Sequence, residues 1–486
     1  MFCRAEPLRP LRARPLLKVA LLAFPASANA HSFGQLYNLP VPLWMYLYGA
    51  AAALLASFVL MAVFMVPAQA VKPTPAAGSQ APGWFSHLAR CCLPVLRCLS
   101  VLLLLLCIAT GLWGTQNPYQ NFNMTFFWIL FVLLFTYLTA FVGDVFRFIS
   151  PWRVLSDALP SRWRQGRFNY PQRLAYWPAL LLYIGFITLE LFGKISPQGL
   201  AWMLLGYTVA NLVGVCLIGQ RAWFRYVEFF AVFLRLIAMM APLSWHQGRA
   251  HWRMPGSALV AQRAESQSLV LFVLFMLAST AFDGLRGTVV WVNIFWADAF
   301  NILTPWLGKP PVYFYLQLRP WYTVYEISWL WLSPLIYFAV FGFFVAWAAR
   351  LAGTKLAVRE WLLRSAFSLL PIALVYHITH YYTLILTQGV KVVSLLSDPF
   401  GFGWDLFGTA TLWRAAILPD MSWVWHSQVA LIVIGHIASV YLAHREAMLL
   451  AASPGRAVLS QLPMLGLMMV FTASGLWILA QPISGG

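Results

Sequence analysis

An all-α fold is predicted, a polytopic transmembrane helical bundle of about ten spans, because apolar runs long enough to cross a bilayer recur along almost the whole chain. Of 486 residues, 61% are hydrophobic and 9% charged, and the mean hydropathy is +0.73. A soluble multidomain protein is excluded on that balance. The net charge of +18 does not point to nucleic acid, because Lys and Arg fall in short clusters between the apolar runs. There they act as topology signals and meet anionic headgroups.

Residues 1–30 read as a secretory signal peptide. Arg4, Arg9, Arg12, Arg14 and Lys18 precede a short apolar core, Val19 to Pro25, and Ala28-Asn29-Ala30 supplies a cleavage site. The mature chain, 31–486, is then one multi-span membrane domain beginning at His31, with its N-terminus outside the cytoplasm.

The spans are expected at 43–65, 98–114, 125–143, 174–193, 201–219, 266–284, 325–349, 366–387, 425–443 and 460–481. The Pro, Gly and Ala stretch 72–83 reads as a flexible cytoplasmic loop. The apolar stretch 226–243 carries Glu228 and Arg235 between two basic segments. If it crossed, the basic loop with Arg350, Lys355, Arg359 and Arg364 would face outward, against the positive-inside rule. It is therefore read as an interfacial or re-entrant helix. The basic loops 72–97, 144–173, 220–265, 350–364 and 445–456 then fall inside, and 115–124 and 388–424 outside. Both mature termini are external, and the expected location is a bacterial inner (plasma) membrane. The long loops 286–324 and 388–424, rich in Trp, Gly and Pro, are expected to fold over the outer helix ends and present aromatic surface. Of the six cysteines, Cys3 leaves with the signal and none falls in an external loop, so no disulfide framework is expected.

Ionisable groups deep in a bilayer are costly and mark function by default. In Tyr376-His377-Ile378-Thr379-His380-Tyr381-Tyr382, the i, i+3 spacing puts both imidazoles on one helix face. His436 reaches a similar depth if the next helix is an antiparallel neighbour, whereas His444 lies about 12 Å further along the axis. Asp283, Asp298, Asp398 and Asp405 all fall at or beyond the outer surface in this topology. Histidine with carboxylate is the ligand set of a hydrolytic metal site, in which the metal acidifies bound water. The metal ligands expected on that basis are His377, His380 and His436, with Asp283 or Asp405 completing the site. Zinc is the first choice of divalent metal, and copper or haem the alternative. His31 could chelate copper through its α-amino group and imidazole, although a histidine there is more simply the residue at which cleavage stops. The plain alternative for the three membrane histidines is helix-to-helix hydrogen bonding. Glu190 is expected to pair with a cation or polar group on another helix.

Several short elements then form a pattern. They are Leu39-Pro40-Val41-Pro42, Gly143-Asp144-Val145-Phe146-Arg147 with Pro151-Trp152-Arg153, Leu189-Glu190-Leu191, Phe282-Asp283-Gly284-Leu285, Tyr376-His377 to His380-Tyr381, Asp405-Leu406-Phe407-Gly408-Thr409, and Gly435-His436 to Ala443-His444. In that order the chain resembles the bacterial integral-membrane fenitrothion hydrolases, over most of its length from His31 onward. The resemblance implies hydrolysis of an organophosphorus triester by a membrane-embedded enzyme, acting alone or with a second membrane subunit. It leaves the natural substrate open and assigns no catalytic residue.

Three functional readings follow. The first is a metal-dependent hydrolase set in the lipid bilayer, its metal facing the external side and its aromatic loops receiving an apolar small-molecule substrate. The second is a redox or metal-handling membrane protein with haem or copper on the histidines. In the third, an ion-coupled transporter, Glu190, Asp283 and the histidines form a proton or ion path.

Overall fold

Nine helices among the described residues are long and apolar enough to cross a membrane. The computed structural model describes residues 40–64, 80–246, 249–413, 417 and 419–481. The expected signal peptide, His31 and most of the 72–83 stretch lie outside the described residues.

The helices are α1 (Leu43–Phe64), α2 (Gly83–Trp113), α3 (Phe122–Val142), α4 (Trp177–Phe192), α5 (Pro197–Ile218), α6 (Phe229–Ala238), α7 (Gln267–Arg286), α8 (Tyr315–Ala352), α9 (Leu370–Thr387), α10 (Met421–Leu450) and α11 (Pro454–Ala480). Nine of the ten expected spans correspond to the long apolar helices; the expected span 174–193 forms α4, whose 16 residues are too few to count with them, and α6 is the eleventh helix. The starts of α2 and α8 lie well before the expected boundaries, because helical geometry continues beyond the apolar run. Hydropathy locates the part of a helix inside the bilayer and says nothing of the turns projecting from it.

Caps begin the helices where the sequence supplies them. Ser266 Oγ accepts from Leu269 N at the start of α7, Asp420 Oδ1 from Trp423 N at α10, and Ser196 Oγ from Gly199 N at α5. Within α3, residues Thr125–Leu134 adopt a π-helix, a widened geometry found often at functional sites.

The ambiguous stretch 226–243 holds α6, ten residues long and so about 15 Å, half of what a crossing needs. Glu228 caps it, accepting from Phe230 N and Ala231 N. The helix is buried against α3 and α4. The chain then returns through an antiparallel hairpin, β1 (Leu243–His246) and β2 (Arg249–Trp252).

Loops expected to share a side of the membrane touch one another. On one face, Ala81 N donates to Ala250 O, Trp245 Nε1 to Val142 O, Ala264 N to Leu363 O and Ala452 N to Ala352 O. Arg97 pairs there with Asp157, and Arg263 with Glu360. On the other face, Thr115 N donates to Phe400 O, Phe122 N to Pro399 O and Gln198 N to Gln116 Oε1. This grouping matches the division drawn from basic residues.

The core follows the helix contacts. α7 is buried along most of its length, packing against α4, α8 and α9, while α9 also packs on α10 and α3. A Cβ on Gly435 would come within 2.3 Å of Val375 Cγ2, so glycine permits the close approach of α9 and α10. Gly284 does the same for α7, where a Cβ would stand 2.6 Å from Ile478.

Candidate functional site

Asp283 sits in the last turn of α7 and is only 5% exposed. α9 presents two donors to it from adjacent residues. His380 Nε2 lies 3.1 Å from Asp283 Oδ2, and Tyr381 Oη donates to the same oxygen at 2.8 Å. With the carboxylate ionised, the imidazole N–H also donates to it. A carboxylate in an apolar bundle is tolerable only with such donors.

His377, one turn earlier, faces a different neighbour. Its ring lies edge-on to Tyr137 of α3 at 5.7 Å and to Tyr381 at 4.9 Å, centroid to centroid. Tyr137 Oη donates to the His377 carbonyl at 3.1 Å, and His377 Nδ1 is buried without a hydrogen-bond partner. His377, Tyr381 and Glu190 line one small cavity with the π-helical residues Phe131 and Val132. Its open space is about 30 Å³, room for a water molecule or two and far too small for an aryl phosphotriester.

His436 is buried on α10, where Nδ1 donates to Ile432 O at 2.8 Å and Nε2 has no hydrogen-bond partner. The expected neighbour relation holds: α7 and α10 both pack on α9. Yet His380 turns to α7 and His377 to α3. Among the described residues no group of three or more His, Cys, Asp or Glu stands close enough to hold a metal ion. The side chains as placed therefore do not fit the three-histidine ligand set, and Asp283 with His380 supplies only two donor groups. His444 hydrogen-bonds Gln461 Oε1 through Nδ1, away from these residues.

Asp405 is exposed, and its Oδ1 accepts from Ala410 N at 2.9 Å. The other loop acids also organise backbone. Asp398 accepts from Phe402 N and Gly403 N, and Asp298 from Ile302 N, Leu303 N and Thr304 N. Burial acts to raise the Asp298 pKa, but the hydrogen bonds from Thr304, Ile302 and Leu303 outweigh it and hold the carboxyl below its ordinary range.

An aromatic residue of the 286–324 loop, Trp291, packs at the Asp283 end of α7. Phe282 on α7 packs edge-on against Trp291 at 5.4 Å, and Trp291 meets Tyr325 of α8 at 5.2 Å. Beside them Arg286 approaches Glu326 at 3.9 Å. Tyr381, Tyr137 and the Arg286 and Glu326 pair were not singled out from sequence as site residues. The available signal was a hydroxyl or charge inside a predicted span for Tyr137, Tyr381 and Glu326, while Arg286 falls just beyond one, and Tyr381 directly follows His380.

The chain matches no protein-family model, no curated protein and no solved structure. The likeness to fenitrothion hydrolases thus rests on the short sequence elements alone.

Proposed function

We propose that the chain is a membrane-embedded proton-handling protein, with Asp283 as the protonation centre of a proton path. The observation that carries this is one carboxylate, buried at the end of an apolar helix, sharing a single oxygen with His380 and Tyr381. Intramembrane acid and histidine groups of this kind serve proton and ion paths. Asp283 takes up a proton at Oδ2, the imidazole of His380 exchanges it, and the Tyr381 hydroxyl stabilises the ionised state. His377 and Glu190, across a cavity with room for water, provide further stations. The centre lies toward the face of loops 286–324 and 388–424, which the basic residues of the opposite loops mark as external. The membrane is then a bacterial plasma membrane.

The test is proton flux into proteoliposomes holding a pH-sensitive dye, under a potassium diffusion potential. Wild type should acidify the lumen, and Asp283→Asn should not. Flux absent from wild type, or unchanged in Asp283→Asn, would remove this reading.

A hydrolase is the second reading, supported by the pairing of Asp283 with His380 and by the resemblance to fenitrothion hydrolases. A carboxylate that orients an imidazole is the arrangement of a general base activating water. His380 would take the proton of a water attacking phosphorus, and the aryloxide would leave. Phenol release from an aryl dialkyl phosphorothioate by purified protein, lost in His380→Gln, would favour it over transport.

A further inference from the structure

The consecutive helices α4 and α5 take different partners: α4 packs on α7 and α5 on α2. A groove of about 420 Å³ opens between them, within the size range of small-molecule sites. Its rim carries Leu181 and Leu189, 50% and 47% exposed, on the apolar helix α4. At Gly185 an added Cβ would meet nothing within 4 Å. The groove has two hydroxyls, and both are engaged within the protein. Tyr207 Oη donates to Glu228 Oε1 at 2.5 Å, while Thr188 Oγ1 donates to Ile184 O and accepts from Trp331 Nε1. What remains for an occupant is hydrocarbon surface.

The floor is made of Phe186, Phe229 and Phe230, and the same three residues line the cavity of His377, Tyr381 and Glu190. One aromatic layer thus separates the bilayer-facing groove from the polar cavity. The geometry points to a binding site for a single hydrocarbon chain, and we propose that its occupant is an acyl chain of a bilayer lipid. Continuity with the lipid-covered surface selects that source, because a chain enters sideways without leaving the hydrocarbon phase. The proposal rests on these helices spanning a bilayer and not on the reaction at Asp283.

The experiment reconstitutes the full chain in phosphatidylcholine vesicles doped with a phosphatidylcholine carrying a diazirine on one acyl chain. After photolysis, adducts are mapped by mass spectrometry. Adducts should concentrate on residues 181–189 and 203–207, severalfold above Leu332 and Leu335 of α8, which are similarly exposed. Gly185→Phe, which fills the groove, should lower the groove adducts severalfold and leave those on α8 unchanged. Labelling that is uniform over exposed leucines, or undiminished in Gly185→Phe, would overturn the proposal. If Gly185→Phe does not fold, the ratio in wild type alone decides. None of these readouts uses proton flux or hydrolysis, so failure here is separable from failure of the site reading.

Discussion

His380 on α9 and Asp283 on α7, 97 residues apart in sequence, meet at 3.1 Å, Nε2 to Oδ2, across the interface of the two helices. Tyr381 adds a second donor to the same oxygen. Two apolar helices thereby share one ionisable centre that neither could bury alone.

Removing a single donor is the mildest perturbation. Tyr381→Phe keeps the ring against His377 and deletes the 2.8 Å bond to Asp283. It should cost about 1 kcal/mol of stability, the net value of one hydrogen bond, with more if the carboxylate becomes under-satisfied. Thermal unfolding in detergent should show a lower Tm than wild type; an unchanged Tm would mean the hydroxyl contributes nothing.

Helix approach gives an independent prediction. In Gly435→Val the new Cβ would lie 2.3 Å from Val375 Cγ2, so α9 and α10 must separate, at a cost of about 1–3 kcal/mol for overpacking. Gly185→Ala, facing open space, should leave Tm nearly unchanged. A larger loss from the second variant than from the first would contradict the helix packing described.

The pairing of loops predicts sidedness. Single cysteines at Gln116 and Phe402 should react with an impermeant maleimide from one side of sealed vesicles, and a cysteine at Lys355 only from the other. These residues lie on the two faces joined by the Thr115 to Phe400 and Ala452 to Ala352 hydrogen bonds. Reaction of Gln116→Cys and Lys355→Cys from the same side would break the topology.

Acid should loosen the 298–304 turn. The Asp298 pKa is depressed in the folded chain, so its stabilisation is fully present above the ordinary aspartate pKa and is lost as pH falls through the lower folded value. Hydrogen exchange at Ile302, Leu303 and Thr304 should accelerate only below the usual aspartate range of about 3.9. Asp298→Asn should abolish that acid dependence, and an onset near neutrality would be inconsistent with it.

The fold was legible because bilayer thickness imposes a run length that composition alone reveals. The positive-inside rule gave loop groupings that contacts such as Trp245 to Val142 reproduce. Side-chain direction was not legible. The i, i+3 spacing of His377 and His380 places both on one side of α9, but one turn still rotates a residue by about 60° from its partner. That is enough for His377 to face Tyr137 and the cavity while His380 faces Asp283. Depth alone could not tell whether His436 would face that site, and its Nδ1 bond to Ile432 O is local to α10. Asp405 misled for another reason, since it precedes a turn and accepts from Ala410 N, whereas Asp398, placed before Pro399 as a turn initiator would be, accepts from Phe402 N and Gly403 N.

Infrared difference titration of the purified protein tests the central claim most directly, by following the carboxyl C=O stretch with pH. If Asp283 is the protonation centre, wild type should show a protonated-carboxyl band that titrates, that is missing in Asp283→Asn, and whose midpoint moves in His380→Gln. A spectrum in which Asp283→Asn matches wild type throughout would contradict the account.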